Sequence, residues 1–201
     1  RDDHYTIREY IRNFIMSKLE TNTIDTISGT SNLTIGSSNS STVTFESGAA
    51  TGHMYPAFAA SVTSDQSISS TSWTKIQFNN EILDTNNAYD NSTNYRFTVP
   101  TGQAGKYYVC LDYISCSDSD NLIYNISAIY KNGSIFKRTD MNSNGTSNAS
   151  FRRFSLNSNI IADLSVGDYI EAFAYISATS PFIDGDGPEA RSFFGAYRIG
   201  A

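Results

Sequence analysis

The clearest pattern of hydrophobic and polar positions lies between residues 78 and 111. An apolar segment, 78–84, precedes a polar loop, and a second segment, 95–99, ends at a proline. A glycine-rich turn then leads into a third apolar segment, 107–114. Because Pro and Gly lie between these segments and β-branched or aromatic residues lie inside them, the pattern predicts an antiparallel β-sheet.

The same signals continue toward the C-terminus. Asn132-Gly133 is a strong two-residue hairpin signal. Alternation and turn residues together predict strands over 76–84, 94–99, 105–115, 121–131, 135–138, 151–156, 159–162, 169–176 and 192–199. The chain is therefore predicted to be mainly β.

Residues 1–20 contain the one helical pattern. Apolar residues recur at helical spacing at Ile7, Ile11, Phe14, Ile15 and Leu19. Such a short helix is marginal alone in water, so its apolar face needs a partner. We predict a docking or oligomerisation helix; the alternative is a helix packed on its own domain.

Residues 21–54 form a different kind of segment. Leu33 and Ile35 alternate with threonine and precede a glycine, and Val43 and Phe45 repeat the pattern about ten residues later. Strands this short cannot bury a core alone and become stable when chains stack around an axis. The segment resembles the shafts of bacteriophage fibres, which are typically trimers. The alternative is an irregular linker.

Three separated motifs in the remaining chain point to one family. They comprise a central series at Phe78, Asp84, Tyr89, Phe97, Pro100, Gly105 and Tyr107 and two late segments at 164–170 and 192–199. An Ala-Phe-x-Ala element at 57–60, which precedes them, matches the same family. Together they resemble the globular head of the complement first-component q subunit, within the tumour-necrosis-factor superfamily. The resemblance implies that residues 55–201 form an antiparallel jelly-roll sandwich that assembles as a homotrimer.

Composition and charge narrow the range of possible partners. The chain has 201 residues, of which 17% are charged, and its net charge is −6. Because phosphate binding needs a basic patch, nucleic acid is not an expected partner. No run of about 20 apolar residues occurs, so no membrane span is predicted.

The two cysteines, Cys110 and Cys116, leave two alternatives open. In an unbroken strand their even spacing places both on one face as separate thiols. A bulge or turn at Ser115 would instead bring them within reach of a disulfide.

No catalytic residue is predicted. The two histidines, His4 and His53, lie beside no recognisable nucleophile, and no metal-binding Cys/His spacing or phosphate loop occurs. Loop carboxylates such as Asp118 and Asp120 are most often simply solvated. The protein is therefore predicted not to be an enzyme, and no organic cofactor is expected.

Calcium is the one ion for which the sequence offers ligands. Asp184, Asp186 and Glu189 supply hard oxygen ligands on a glycine-rich segment. Several members of the resembled family bind calcium near the trimer apex. The alternative is an ordinary turn between the last two strands.

These patterns predict a bacteriophage tail or capsid fibre protein on the virion surface. The N-terminal segment would bind other virion proteins, and the head would bind a host-surface receptor or glycan, or decorate the particle. Loops 117–121, 140–149 and 179–190 are the candidate contact regions. The alternatives are a secreted head-type recognition protein of a cellular organism, a purely structural bridging protein, and a glycan-cleaving fibre.

Overall fold

Thirteen β-strands and no helix form the described part of the chain, which in this computed structural model comprises residues 56–143, 151–185 and 190–200. All of these residues belong to one unit, Ala50–Ala201. The strands are β1 Ala57–Ser61, β2 Gln66–Ser67, β3 Trp73–Lys75, β4 Asn80–Asp84, β5 Tyr89–Asp90, β6 Arg96–Thr98, β7 Gly105–Ser117, β8 Tyr124–Lys131, β9 Ser134–Asn142, β10 Arg153–Leu164, β11 Tyr169–Ser177, β12 Pro181–Ile183 and β13 Phe193–Gly200.

The strands form two antiparallel sheets. In the first sheet the strand order is β4-β1-β13-β7, and β10 pairs with the other edge of β7. Strand β12 pairs with the C-terminal residues of β7, on the same edge as β13, and β2 pairs with β12. The second sheet has the order β5-β6-β11-β8-β9, with β3 also paired to β11. Two such sheets packed around one core form a jelly-roll sandwich, so the predicted fold class is confirmed.

The core forms because alternate residues of each strand point inward. Tyr107, Val109 and Leu111 of β7 are fully buried, and Ile170 and Ile176 of β11 are buried on the facing sheet. The hydrophobic alternation seen in the sequence is therefore the alternation between the core and the outer faces.

Aromatic rings fill the centre of the sandwich. Phe58 stacks on Tyr89 at 4.7 Å and on Phe97 at 5.0 Å, and it meets the edge of Phe194 at 5.1 Å. The hydroxyl of Tyr89 donates a hydrogen bond to the backbone oxygen of Phe78 at 3.0 Å, so its polar end is satisfied. The central sequence motif thus marks the core of the head.

A buried polar network joins the two sheets. The side-chain amide of Asn125, on β8, donates to the hydroxyl of Ser115, on β7, at 2.6 Å. The Tyr113 hydroxyl lies 2.7 Å from the amide oxygen of Asn125. Burial raises the pKa of Tyr113 well above its ordinary value, so this hydroxyl stays neutral. The network satisfies polar groups that would otherwise destabilise the core.

Several predicted strand bounds were wrong. One strand, β10, runs through the gap between the predicted strands 151–156 and 159–162. Strand β9 extends to Asn142, inside the predicted loop 140–149, and β12 lies inside the predicted loop 179–190. The strand predicted over 76–84 begins at Asn80. The hairpin at Asn132-Gly133 is confirmed, since both residues have the positive φ values, 51° and 78°, that a type I′ turn requires.

Asp168 fixes the turns around that hairpin. Its carboxylate accepts a hydrogen bond from the Asn132 amide at 2.7 Å, pairs with the Lys131 ammonium at 2.9 Å and accepts from the Ser165 backbone N–H at 2.9 Å. These contacts, led by the Asn132 hydrogen bond, lower the pKa of Asp168 from 3.8 to about 2.

We expect Asp168→Asn to lower the thermal midpoint at neutral pH and to have little effect near the folded-state pKa. The folded-state pKa of Asp168, about 2, lies below its ordinary value of 3.8. The ionised carboxylate therefore stabilises the fold fully at pH values above the ordinary pKa. That stabilisation is lost as the pH falls through the folded-state pKa. Thermal unfolding of both proteins across this range checks the prediction, and a difference that does not vary with pH would contradict it.

The two cysteines are free thiols on one strand. Strand β7 runs unbroken through Ser115, so the bend that a disulfide would need does not form. Cys116 is buried and Cys110 is half-buried, and burial raises the pKa of both thiols. Of the two alternatives left open by the sequence, the structure has separate thiols on one face.

The N-terminal predictions lie outside the described residues. They comprise the helix with its apolar residues Ile7, Ile11, Phe14, Ile15 and Leu19, the shaft 21–54, and both histidines. Within the described ranges, no helix has the length and apolar character needed to cross a membrane.

Candidate functional site

The chain enters and leaves the sandwich at one end. The backbone N–H of Arg198 donates to the backbone oxygen of Pro56 at 3.1 Å, which places the first and last described strands side by side. We call the end that holds Pro56 and Gly200 the proximal end. The opposite end, where β7 turns toward β8, is the distal end.

A cleft of about 560 Å³ lies at the proximal end, lined by residues of the β4–β5 loop, β6 and the β10–β11 turn. Its one carboxylate, Asp90, accepts hydrogen bonds from the backbone N–H groups of Ser92, Thr93 and Asn94. These bonds hold the pKa of Asp90 well below its usual range. Asp90 therefore stabilises the turn at residues 90–94. The other ionisable residue that lines the cleft is Tyr89, whose hydroxyl already donates a hydrogen bond to the Phe78 backbone oxygen.

The distal end brings together two of the three loops that the sequence predicts as contact regions. The Asn121 amide donates to the Thr179 hydroxyl at 2.6 Å and accepts from the Thr179 backbone N–H at 3.0 Å. Ser117 donates to the Thr179 backbone oxygen at 2.7 Å. Loops 117–121 and 179–185 are thus joined, while 144–150 and 186–189 lie outside the described residues. The role of this end in binding stays a prediction.

Asp184 is the one residue of the predicted calcium site that the structure describes. Its side chain is buried and forms ion pairs with Arg153 and Arg191, the latter at 3.7 Å. Asp186 and Glu189 lie outside the described residues. Among the described residues, no group of three or more potential metal ligands is clustered. The calcium site stays a prediction, and the described role of Asp184 is to bind guanidinium groups across the distal end.

Gly185 lets two distal loops meet at their backbones. Its N–H donates to Asp65 at 3.1 Å, and a Cβ atom at this position would lie 2.2 Å from the Ser64 backbone oxygen. No real Cβ atom approaches a backbone oxygen this closely. Any side chain at residue 185 must therefore push the two loops apart.

We expect Gly185→Ala to lower the free energy of unfolding by about 1–3 kcal/mol, as overpacking does in tight sites. Gly200→Ala is the matched control, because a Cβ there has open space. Urea unfolding of both variants provides the measurement. Equal stability of the two variants would show that the distal loops are not packed as described.

The outer face of the first sheet carries an apolar band, which we define as Ala57, Leu83, Tyr108, Ile161 and Tyr197. Registers place Ala57, Tyr197, Tyr108 and Ile161 side by side on β1, β13, β7 and β10. The rings of Tyr108 and Tyr197 are 5.6 Å apart. Leu83 is 48% exposed and Ile161 is 61% exposed. Exposed apolar residues aligned on one face make this surface a candidate interaction site.

The outer face of the second sheet carries an aromatic face, which we define as Trp73, Tyr124, Tyr130, Phe173 and Tyr175. Tyr130 stacks on Phe173 at 4.0 Å, and Trp73 meets Tyr130 at 5.8 Å and Tyr175 at 5.6 Å. Tyr124 meets the edge of Tyr175 at 6.1 Å. The rings therefore form one connected strip across β8, β11 and β3.

The charges around the aromatic face are paired. Lys75 binds Glu171 at 2.5 Å and lies 5.7 Å from the Phe173 ring. Arg138 pairs with Asp140 at 3.0 Å. Burial and the neighbouring Glu171 raise the pKa of Tyr130, so its hydroxyl remains protonated. The face thus combines apolar rings, neutral hydroxyls and neutralised charges.

The sequence patterns alone do not divide the aromatic residues among the core and these two faces. The alternation within β11 carried a usable signal, since Tyr169, Phe173 and Tyr175 alternate with small or aliphatic residues. Rings at every second position indicate one face, although the pattern alone does not say which face meets water.

Comparison with known proteins bears on the fold. No protein-family model matches the chain, and no curated protein matches it. Solved structures do. The globular domain of zebrafish complement 1qA protein is 14% identical with a TM-score of 0.50, and the match covers 72% of this chain and 97% of that one. The described domain has the complement 1q and tumour-necrosis-factor type of jelly roll.

Two further structures agree. Murine APRIL is 13% identical with a TM-score of 0.51, over 71% of this chain and 97% of that one. Eiger TNF from S. frugiperda is 12% identical with a TM-score of 0.54, over 74% of this chain and 95% of that one. Identities this low show the fold alone, and they confirm the fold that the three sequence motifs implied.

Proposed function

We propose that this chain is a homotrimeric bacteriophage fibre protein whose jelly-roll head binds a receptor on the host surface. Residues 1–54 would attach the head to other virion proteins. The observation that carries the proposal is the apolar band on the first sheet, which an isolated head leaves exposed to water.

The apolar band favours assembly with copies of the same chain. Leu83, Ile161 and the Tyr108–Tyr197 pair lie on one face of the sheet, and closed symmetric assemblies are the common way to cover such a face. The number of copies, three, follows from the resemblance of the head and of the shaft 21–54 to trimeric families. Burial of three such faces around one axis would remove the apolar band from water.

The position at which the chain enters the described head supports mounting on a stalk. Because Pro56 lies at the proximal end, the preceding segment joins the head there, and the distal loops face the other way. Loops on a rigid β scaffold are common recognition elements. Three weak sites carried by one stalk act at high effective concentration, so modest affinity per head suffices for firm attachment.

Removal of residues 55–201 from the particle tests receptor binding. We expect particles that keep residues 1–54 to assemble and to lose adsorption to host cells. Purified full-length chain added in excess should compete with intact particles for the same cells. Normal adsorption by the shortened particles would refute receptor binding and would favour the structural bridging role instead.

A further inference from the structure

We propose that the aromatic face of the second sheet is a binding site for neutral oligosaccharides. The inference rests on the proposed function as a receptor-binding head and names the class of receptor that this face would take. It requires neither the trimer nor the distal loops, because every residue that carries it lies on one sheet of one chain.

The outer face of the second sheet carries more aromatic rings than the solvent-facing side of a sheet usually does. The inner face of β11 already packs into the core through Ile170, Ala172, Ala174 and Ile176. An antiparallel sheet usually places polar residues on its opposite, solvent-facing side. Here that side holds Phe173 and Tyr175, joined by rings from β3 and β8. Five connected rings on an outer face are typical of recognition surfaces, where aromatic residues are enriched.

The chemistry of the face fits a sugar. A pyranose ring has apolar C–H faces, which stack on flat aromatic rings, and a rim of hydroxyls, which need hydrogen-bond partners. The face offers the apolar ring of Trp73 together with the hydroxyls of three tyrosines, groups that can act as hydrogen-bond donors or acceptors. One of these, the Tyr124 hydroxyl, lies 3.2 Å from the Asp140 carboxylate, which can also accept from a sugar hydroxyl.

The charge pattern favours a neutral ligand. Lys75 is paired with the buried Glu171, and Arg138 is paired with Asp140, so each of these cations already has a carboxylate partner. Arg96 lies 4.3 Å from the centre of the Tyr169 ring, beside rather than on the strip. A site for sulfated or phosphorylated chains would instead present unpaired cations.

The connected strip also favours an oligosaccharide over a single sugar. The rings continue from Tyr124 through Tyr175 and Trp73 to Tyr130 and Phe173 without a break, and successive centres are 6.1, 5.6, 5.8 and 4.0 Å apart. One pyranose would cover only part of this length. Affinity should therefore rise with the length of the sugar chain.

Trp73 makes the proposal directly measurable, because it is the single tryptophan of the chain. Full-length protein is titrated with neutral oligosaccharides of glucose, galactose, mannose or N-acetylglucosamine, and the tryptophan emission is recorded. We expect a saturable change with at least one of them, with a Kd of about 1 mM or lower. No change with any of them, or a change only with sulfated dextran, would overturn the proposal.

Matched variants locate the site. Tyr175→Ala and Tyr130→Ala should each weaken binding at least about tenfold, as loss of a stacked ring does at recognition sites. Phe151→Ala is the control, because this exposed ring lies at the distal end and its ring contact is with Phe154, outside the strip. Unchanged thermal midpoints establish that the variants fold. Loss of binding in Phe151→Ala with normal binding in Tyr175→Ala would place the sugar at the distal loops and overturn the proposal.

Quenching by acrylamide tests whether the face is open in the full-length chain. We expect Trp73 to be quenched freely without sugar and to be protected when sugar is bound. Full protection without sugar would mean that another segment or a second copy covers the face, and it would overturn the proposal. The sugar titration and the adsorption test can fail independently. If no sugar binds but adsorption still requires the head, the head binds its receptor through another surface.

Discussion

Replacement of Ile161 by lysine is expected to convert the proposed trimer into single chains of 22.1 kDa. Ile161 lies at the β10 end of the apolar band, beside Tyr108 on the neighbouring strand, and is 61% exposed in one chain. In a single chain the new ammonium group stays in water, so the fold is kept. In the trimer the same group is buried without a partner, at a cost of several kcal/mol per ion.

Sedimentation velocity measures this outcome, and a thermal midpoint close to that of the unaltered chain excludes unfolding. Val166→Lys is the control, since Val166 is 48% exposed but lies on the β10–β11 turn, outside the apolar band. We expect the control to remain trimeric. An Ile161→Lys protein that also remains trimeric would show that the apolar band is not the interface.

Truncation of Phe58 to alanine is expected to lower the free energy of unfolding by about 3–5 kcal/mol. The ring is 2% exposed and contacts Tyr89, Phe97 and Phe194, so its removal leaves a cavity between both sheets. Domains of this kind have a total stability of about 5–15 kcal/mol. The variant should therefore unfold at much lower urea concentration, as followed by the emission of Trp73.

Phe151→Ala is the matched control for this change too, because the Phe151 ring is 47% exposed. Its free energy of unfolding should stay within about 0.5 kcal/mol of the unaltered chain. A loss below about 1 kcal/mol for Phe58→Ala would contradict the central position of this ring. Because the unfolding is compared at the same protein concentration, the contribution of assembly is held constant.

The fold was predictable because its core uses ordinary hydrophobic alternation and turn chemistry. The aromatic series ending at Tyr107 is the core itself, and Asn132-Gly133 forms the turn that its residue types require. Strand β10 was split in two because Ser158 interrupts the apolar pattern. Ser158 points inward, where its hydroxyl is hydrogen-bonded to Thr139 at 2.8 Å, a partner that lies on another strand.

The surfaces were not predictable from single strands. Both faces of β11 are largely apolar, so periodicity shows two faces without showing which one meets water. The aromatic face also draws rings from three strands that only the sheet order brings together. Likewise, the ion pair between Asp184 and Arg153 at the distal end joins residues that are 31 positions apart in the chain. No local sequence pattern predicts a contact over this separation.

The mass of the intact full-length chain in solution tests the proposed assembly most directly. Native mass spectrometry at low salt, with sedimentation equilibrium as a check, should give three times 22.1 kDa, about 66 kDa. A mass of 22.1 kDa across the concentrations at which the head binds cells would contradict the trimer, the interface role of the apolar band and the fibre architecture built on them.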